Sequence, residues 1–398
     1  MFSVIPSPAA PPPPLPEAAE RPRRFRTRQR WAAAAALAAA LSIGFWGWHW
    51  RSTRALRVFP GKYWEQVTPE SVGMDGQRLA RLSRTLRGSG CIVRGGKMAY
   101  HWGHPELRSN VWSASKPFIA HALFAAVVRG LLPSLDAPVA DSQPGLHSLN
   151  ADLQYKDRQI TWRHLVSQTS CYGVSEAPGR AFDYSDFQMA LLIDTLFEKV
   201  YQVSDPKIDR EVMEPMLYRD IQFQDSPTLG RQGQRRSVGR LHISPRDFCR
   251  FGLLYLRGGQ WDGKPLLPES WIHLARASPL PPTLARTAGT DATMLEGQRS
   301  LGGGKNQEDA WGSYSYTWWT NGCNAAGERL WPDAPTDTFG AFGQAGKWAL
   351  VIIPSLDLVA SWVDTTLPGF TAMSWNETGR LPLSRILHQL ARTVRDRH

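Results

Sequence analysis

The hydrophobic positions of this chain fall into separable patterns. Residues 31–50, WAAAAALAAALSIGFWGWHW, contain no Asp, Glu, Lys or Arg. At about 1.5 Å per residue such a stretch covers roughly 30 Å, the thickness of a bilayer core. From Phe118 to Val128 only His121 is polar, the pattern of a helix buried on every side in a large domain. TPESVGMDGQRLARLSRTL predicts a helix with a proline near its start and a stripe of Leu79, Leu82 and Leu86. CIVRGGKMAYHWG predicts a hairpin turning at Gly95 and Gly96. Near the other end, KWALVIIPSLDLVASWV predicts two strands about a Pro-Ser-Leu-Asp turn, and LSRILHQLARTV a helix striped by Ile386, Leu387, Leu390 and Val394. Between 130 and 340 the signals are mostly helical, with many loops. Strands at both ends with helices between them predict an α/β (α+β) fold: an antiparallel sheet formed by N- and C-terminal strands, flanked by helices, with a large, mostly helical inserted lobe. A cleft is expected between sheet and lobe.

Flanking residues assign the first pattern. Residues 1–30 are rich in proline and arginine, and tryptophans lie at both ends of 31–50. Arginines before the span place the tail in the cytoplasm and everything after residue 50 across the membrane. The expected organisation is a 1–30 cytoplasmic tail, a 31–50 transmembrane anchor, a 51–65 linker and a 66–398 globular domain, in a single-pass protein of the inner membrane. A cleaved signal peptide is the alternative; cleavage at its A-x-A sites would leave a mature start of LSIGFWGWHWR.

At 398 residues, 42% hydrophobic and 20% charged, the chain can bury a large core. The net charge of +11 is unevenly spread: nine arginines oppose two glutamates in the first 57 residues, giving 9 − 2 = +7 there and 11 − 7 = +4 elsewhere. An excess of +4 without a recognition motif points to no nucleic-acid partner. Cys91, Cys171, Cys249 and Cys323 lack metal-ligand spacing, and His101 and His104 have no third ligand nearby. No metal or other cofactor is therefore expected. The glycine runs before Lys305 and Lys347 lack the spacing of a phosphate-binding loop.

One motif carries chemistry. Ser113 and Lys116 form an S-x-x-K at the head of the apolar helix, and Pro117 is tolerated only near a helix's first turn. At i and i+3 the amine lies within reach of the hydroxyl. A capping serine followed by a surface lysine would have the same spelling.

Beyond VWSASKPF, the stretches ITWRHLVSQTS (160–170), FDYSDFQMALL (182–192), LHISPRDFCRFGLLYLRGGQWDGKPLLPESW (241–271) and AFGQAGKWALVIIPSLDLV (341–359) stand in order. Together they make residues 66–395 resemble the serine β-lactamase and penicillin-binding-protein superfamily, in its class C-like esterase and 6-aminohexanoate-oligomer hydrolase branch. The resemblance implies a serine hydrolase that cleaves a small-molecule ester or amide through an acyl-enzyme. Ser113 matches the nucleophile, Lys116 the adjacent amine and Tyr184 the tyrosine of the Y-x-N element. Lysine and phenol both titrate near pH 10, and either can be the base once its environment lowers that value. Asp186 replaces the usual asparagine; as a carboxylate near Lys116 it favours the charged lysine and so tilts the base toward Tyr184. Where the family carries Lys-Thr-Gly or His-x-Gly, this sequence reads Gln344-Ala345-Gly346. Recognition of a substrate carboxylate is thereby weakened, with Lys347 and Arg240 as substitutes. Backbone amides of a 344–347 strand, with that of Ser113, are expected to form the oxyanion hole.

The aromatic run Trp311, Tyr314, Tyr316, Trp318, Trp319 and Trp331 serves equally as cleft wall or core. By the resemblance Cys171 and Cys323 lie on the cleft side, and they are expected within disulfide reach; Cys249, in the helix-like DFCRFGLLYL, is expected as a buried free thiol. The alternative to an enzyme is a catalytically silent ligand-binding or scaffold member of the same fold, prompted by Gln344 and Asp186.

Overall fold

The computed structural model describes residues 58–230, 240–296, 309–366 and 377–395. The tail, the anchor and the first part of the linker lie outside them. No described helix is long and apolar enough to cross a membrane.

A seven-stranded antiparallel sheet organises the domain. In chain order its strands are β1 (Ser89–Arg94), β2 (Lys97–Trp102), β8 (Tyr314–Ser315), β9 (Trp318–Thr320), β10 (Phe339–Gly343), β11 (Trp348–Ile353) and β12 (Leu358–Val363). In space the order is β2-β1-β12-β11-β10-β9-β8. The sheet therefore joins the two ends of the domain, with Ser89 opposite Val363 and Arg94 opposite Leu358. A second sheet holds β3 (Ser109–Asn110), β4 (Thr228–Gly230) and β5 (Arg240–Ile243), and β6 (Gln260–Trp261) with β7 (Lys264–Pro265) makes a small hairpin.

Helices cover both faces of the large sheet. Helix α1 (Gly76–Leu86) lies on one face with the C-terminal helix, which spans Glu377–Ala391. There Leu79, Leu82, Leu86, Leu383, Leu387 and Leu390 pack on Ala349, Val351, Ile353 and Trp362. The opposite face, with Leu350, Ile352 and Val359, meets helix α2 (Lys116–Val128) and a helix at Pro245–Leu256. The alternate side chains of β11 thus enter two different cores. Two-sided burial explains why WALVII is a continuous apolar run rather than an alternating one.

The inserted lobe carries α3 (Trp162–Val166) and α4 (Asp186–Asp194) among short 3₁₀ turns and two π-helical stretches, Thr195–Val200 and Asp209–Tyr218. The helices at 245–256, 269–275 and 377–391 are α5, α6 and α7. Some expectations need correction. The helix predicted from residue 68 is two pieces: Pro69–Val72 is a 3₁₀ turn ended by the left-handed Gly73, and α1 starts afresh after Asp75, whose side chain accepts from Arg78 N. Residues 58–65, expected as linker, belong to the domain. Arg250 Nη2 donates to the carbonyls of Gly61 and Lys62 at 2.9 and 3.1 Å, and Trp64 Nε1 donates to Arg246 O at 3.1 Å. The aromatic run from 314 supplies two strands of the main sheet.

Candidate active site

Ser113 lies in the 3₁₀ turn Trp112–Ser115, which runs directly into α2. Val111 N donates to Leu241 O at 3.0 Å, fastening the turn to β5. Trp112 takes φ +52°, a left-handed conformation costly for a bulky residue, and its N–H donates to Asn110 Oδ1 at 3.0 Å. One turn further on, Lys116 is 2% exposed because α2 is sunk in the core.

Three groups meet at that lysine. Its Nζ is 2.9 Å from Ser113 Oγ, 3.5 Å from Asp186 Oδ1 and 4.7 Å from the centre of the Tyr184 ring. Both the carboxylate and the face of the phenol ring favour a cation.

Tyr184 and Asp186 are delivered by the entry to α4, and the loop after α3 holds that entry. Gln168 O accepts from Asp183 N at 2.9 Å, and Gln168 Oε1 accepts from Ser185 N at 3.0 Å. One buried residue, through its backbone carbonyl and its side-chain amide oxygen, thereby fixes the peptides on both sides of Tyr184. Ser170 is tied to the same helix, with Oγ donating to Gln188 Oε1 at 2.7 Å. Sequence reasoning missed Gln168, although the QTS stretch containing it contributed to the resemblance.

Aromatic contacts settle the role of the 311–331 run residue by residue. Tyr314 meets the Tyr184 ring edge-on at 5.8 Å and Trp319 lies 5.9 Å from it, so these two back the site. Tyr314, Tyr316, Trp318, Trp319 and Trp331 are all at most 2% exposed and belong to the cores. Burial, with Tyr184 and Asp186 nearby, pushes the Tyr314 phenol well above its ordinary range.

The facing wall differs from expectation. Gln344–Gly346 is a 3₁₀ turn joining β10 to β11, not part of a strand, and it packs against α7. Gln344 has φ +44° and is half-buried, Gly346 O accepts from Trp362 Nε1 at 2.8 Å, and Lys347 is half-buried. The backbone that meets the nucleophile turn is the end of β10: a Cβ on Gly343 would sit 2.5 Å from Val111 O and 3.2 Å from Trp112 Cβ. Asn321 N donates to Thr338 O at 2.9 Å, and β9 pairs with β10 only at Phe339 and Gly340. Amide direction alternates along an antiparallel strand. Phe342 therefore turns its N–H and C=O the same way as Thr338 and Gly340, away from β11 and beyond the end of β9. Trp112 and Trp348, with ring centres 6.0 Å apart, flank the turn. Arg240 lies on β5, but its side chain is outside the described part.

The thiols also depart from expectation. Cys171 and Cys323 are not bonded to each other. Cys171 Sγ is directed at Thr169 O and Ala181 O, at 3.8 and 3.6 Å, and burial pushes this thiol up to about 12. Cys249 is a buried free thiol, as expected, and its Sγ lies 3.4 Å from that of Cys91.

Comparison with known proteins places this geometry. No curated protein sequence matches the chain. Among solved structures, a Bacillus anthracis protein named as a 6-aminohexanoate-dimer hydrolase superposes with a TM-score of 0.56 at 15% identity, covering 84% of this chain and 88% of its own. A Bacteroides dorei protein named as a beta-lactamase gives 0.55 at 15%, covering 81% and 98%. A penicillin-binding protein homologue from Caulobacter crescentus gives 0.53 at 14%, covering 81% and 99%. At such identities the likeness is one of fold. The sequence itself matches the Beta-lactamase family over residues 81–369, a span that holds Ser113, Lys116, Tyr184 and the whole of β10, and the chain belongs to that family of serine hydrolases.

Proposed function

We propose that this protein is a serine hydrolase that cleaves a neutral ester or amide through an acyl-enzyme on Ser113, held in the inner membrane by residues 31–50 with its catalytic domain outside the cytoplasm. The observation that carries the chemistry is the 2.9 Å contact between Lys116 Nζ and Ser113 Oγ, inside a site where Lys116 also meets Asp186 and Tyr184. A serine hydroxyl is a weak nucleophile until a base takes its proton. Tyr184 accepts the Ser113 proton, with Lys116, held between Ser113 Oγ and Asp186 Oδ1 against the Tyr184 ring, positioned to assist the transfer. Oγ then bonds to the substrate carbonyl carbon, whose oxygen takes the negative charge and is met by the N–H of Ser113 and an amide at the end of β10. Collapse expels the alcohol or amine, which takes the proton back from Tyr184. Water enters by the same relay and releases the acid.

Support for a neutral substrate comes from the walls. Trp112 and Trp348 are aromatic and half-buried, and Gln344, also half-buried, is uncharged. Support for the anchor comes from the arginine block before the uncharged stretch.

A fluorophosphonate probe tests the central claim. The wild type is expected to gain one adduct by intact mass, mapped to Ser113, and Ser113→Ala to gain none. A wild type that stays unlabelled while folded would leave the silent-member reading in its place. Protease added to intact spheroplasts is expected to digest the domain; protection until lysis would reverse the topology.

A further inference from the structure

Cys91 lies in the middle of β1 and Cys249 in α5, 158 residues away in sequence, and their Sγ atoms are 3.4 Å apart. Neither side chain reaches solvent. The contact spans the seam between the first strand of the main sheet and a helix that packs on β1, β11 and β12. Phe248 and Phe251, on either side of Cys249, pack on Phe118 with ring centres 6.1 and 3.9 Å away, and Phe118 stands two residues after Lys116. A bond at this point would brace the platform on which the nucleophile helix rests.

We propose that Cys91 and Cys249 are a disulfide cross-link site, oxidised as the chain folds. The gap to a sulfur–sulfur bond of about 2.05 Å can be closed by small side-chain rotations, because both elements already direct their sulfurs at each other. The oxidant required is a thiol-exchanging disulfide such as oxidised glutathione. One cysteine thiolate attacks it, forming a mixed disulfide and releasing one glutathione thiol. The second cysteine then displaces the other glutathione, so two protons and two electrons leave the protein and one disulfide is reduced to two thiols. Burial holds the Cys249 thiol far above its ordinary range once the core has closed. The exchange therefore belongs to the open chain, before α5 docks on β1. Cys171, facing carbonyl oxygens in the lobe, and Cys323, in the segment that bridges to Arg329, are the two cysteines left as thiols. The cross-link is independent of the acylation reading, since the thiol count is the same whether or not Ser113 reacts.

The test is a thiol count on the full-length protein folded in a glutathione redox buffer, then denatured and alkylated without reductant. Two of the four cysteines are expected to alkylate, the intact mass to be lighter by two hydrogens, and peptide mapping to link Cys91 to Cys249. Four alkylated cysteines, or a link through Cys171 or Cys323, would overturn the assignment. The cross-linked wild type is also expected to melt roughly 5–10 °C above its reduced form, and Cys91→Ala to melt at the same temperature with or without reductant. Equal melting of the oxidised and reduced wild type would remove the bracing role.

Discussion

The cleft at Ser113 has one wall made of side chains and one made of backbone. On the first, Ser113, Tyr184 and Asp186 converge on Lys116 within a few ångströms, and each brings a functional group of its own. On the second, the end of β10 meets the nucleophile turn through peptide groups, and Gly343 is the residue whose identity the contact demands, because any Cβ would strike Val111 O. The first wall is written in residue types. The second accepts almost any side chains that keep the strand's course, and its contact with the Ser113 turn needs no Lys-Thr-Gly.

Substitutions can break this contrast. The largest losses are expected on the side-chain wall: Lys116→Ala and Tyr184→Phe should each reduce kcat on a neutral short-chain ester about 10²- to 10⁴-fold with melting unchanged. A loss under tenfold would take that residue out of the mechanism. Asp186→Asn separates the two bases, because it removes the carboxylate charge 3.5 Å from Lys116 Nζ. Activity is expected to fall, by about tenfold, if Tyr184 is the base; a rise would transfer the role to Lys116.

On the backbone wall, Gly343→Ala is expected to cost about 10²- to 10³-fold in kcat, comparable to losing an oxyanion donor. Gln344→Ala, one residue on, should stay within about threefold, the range of a substitution that leaves packing and charge alone. Equal losses at the two positions would mean that the Gln344 side chain, rather than the strand end, faces the substrate.

The smallest effect lies behind the side-chain wall, in stability rather than turnover. His121 is buried in α2, and burial, with Arg129 adding to it, pushes its imidazole down to about 3. Below about pH 6.5 the unfolded chain binds a proton that the folded chain refuses, so stability falls as pH drops from there toward 3. Asp247 slopes the other way: burial raises its carboxyl to about 6, so the folded state keeps a proton that the unfolded state releases, and its contribution falls as pH rises from about 4 to 6. Comparing wild type with His121→Phe cancels the Asp247 effect. Melting temperatures at pH 7 and pH 4.5 are expected to fall farther apart in the wild type than in the variant, and parallel curves would disprove the neutral buried imidazole.

Local spacing was enough for several features. Ser113 and Lys116 are three residues apart at the head of an apolar helix, and helical geometry brings them together whatever surrounds them. The hairpins at Gly95–Gly96 and Pro354–Leu356 follow from turn residues between β-prone runs, and strands at both ends of the domain sufficed for a sheet joining them. The site's outer parts were less legible. Gln344 to Lys347 read as strand because they sit between two apolar runs, yet Gln344 at φ +44° and Gly346 at φ +107° turn the chain there. In the tertiary structure it is Gly343, just before that turn, that meets the Ser113 turn.

What the sequence determined by itself is what neighbours along the chain decide: the periodicity of α2, the serine–lysine pair it carries and the strands β11 and β12. Only the tertiary structure decided which distant residues share a contact. Gln168 holds Asp183 and Ser185, Asp186 reaches Lys116 from 70 residues away, and Cys91 touches Cys249 rather than Cys171 pairing with Cys323. The reason is physical. A helix or hairpin fixes its internal distances through its own hydrogen bonds, whereas the approach of two elements depends on how both bury their apolar faces, and a sheet covered on both sides leaves no alternation in its central strands to reveal which side each residue faces.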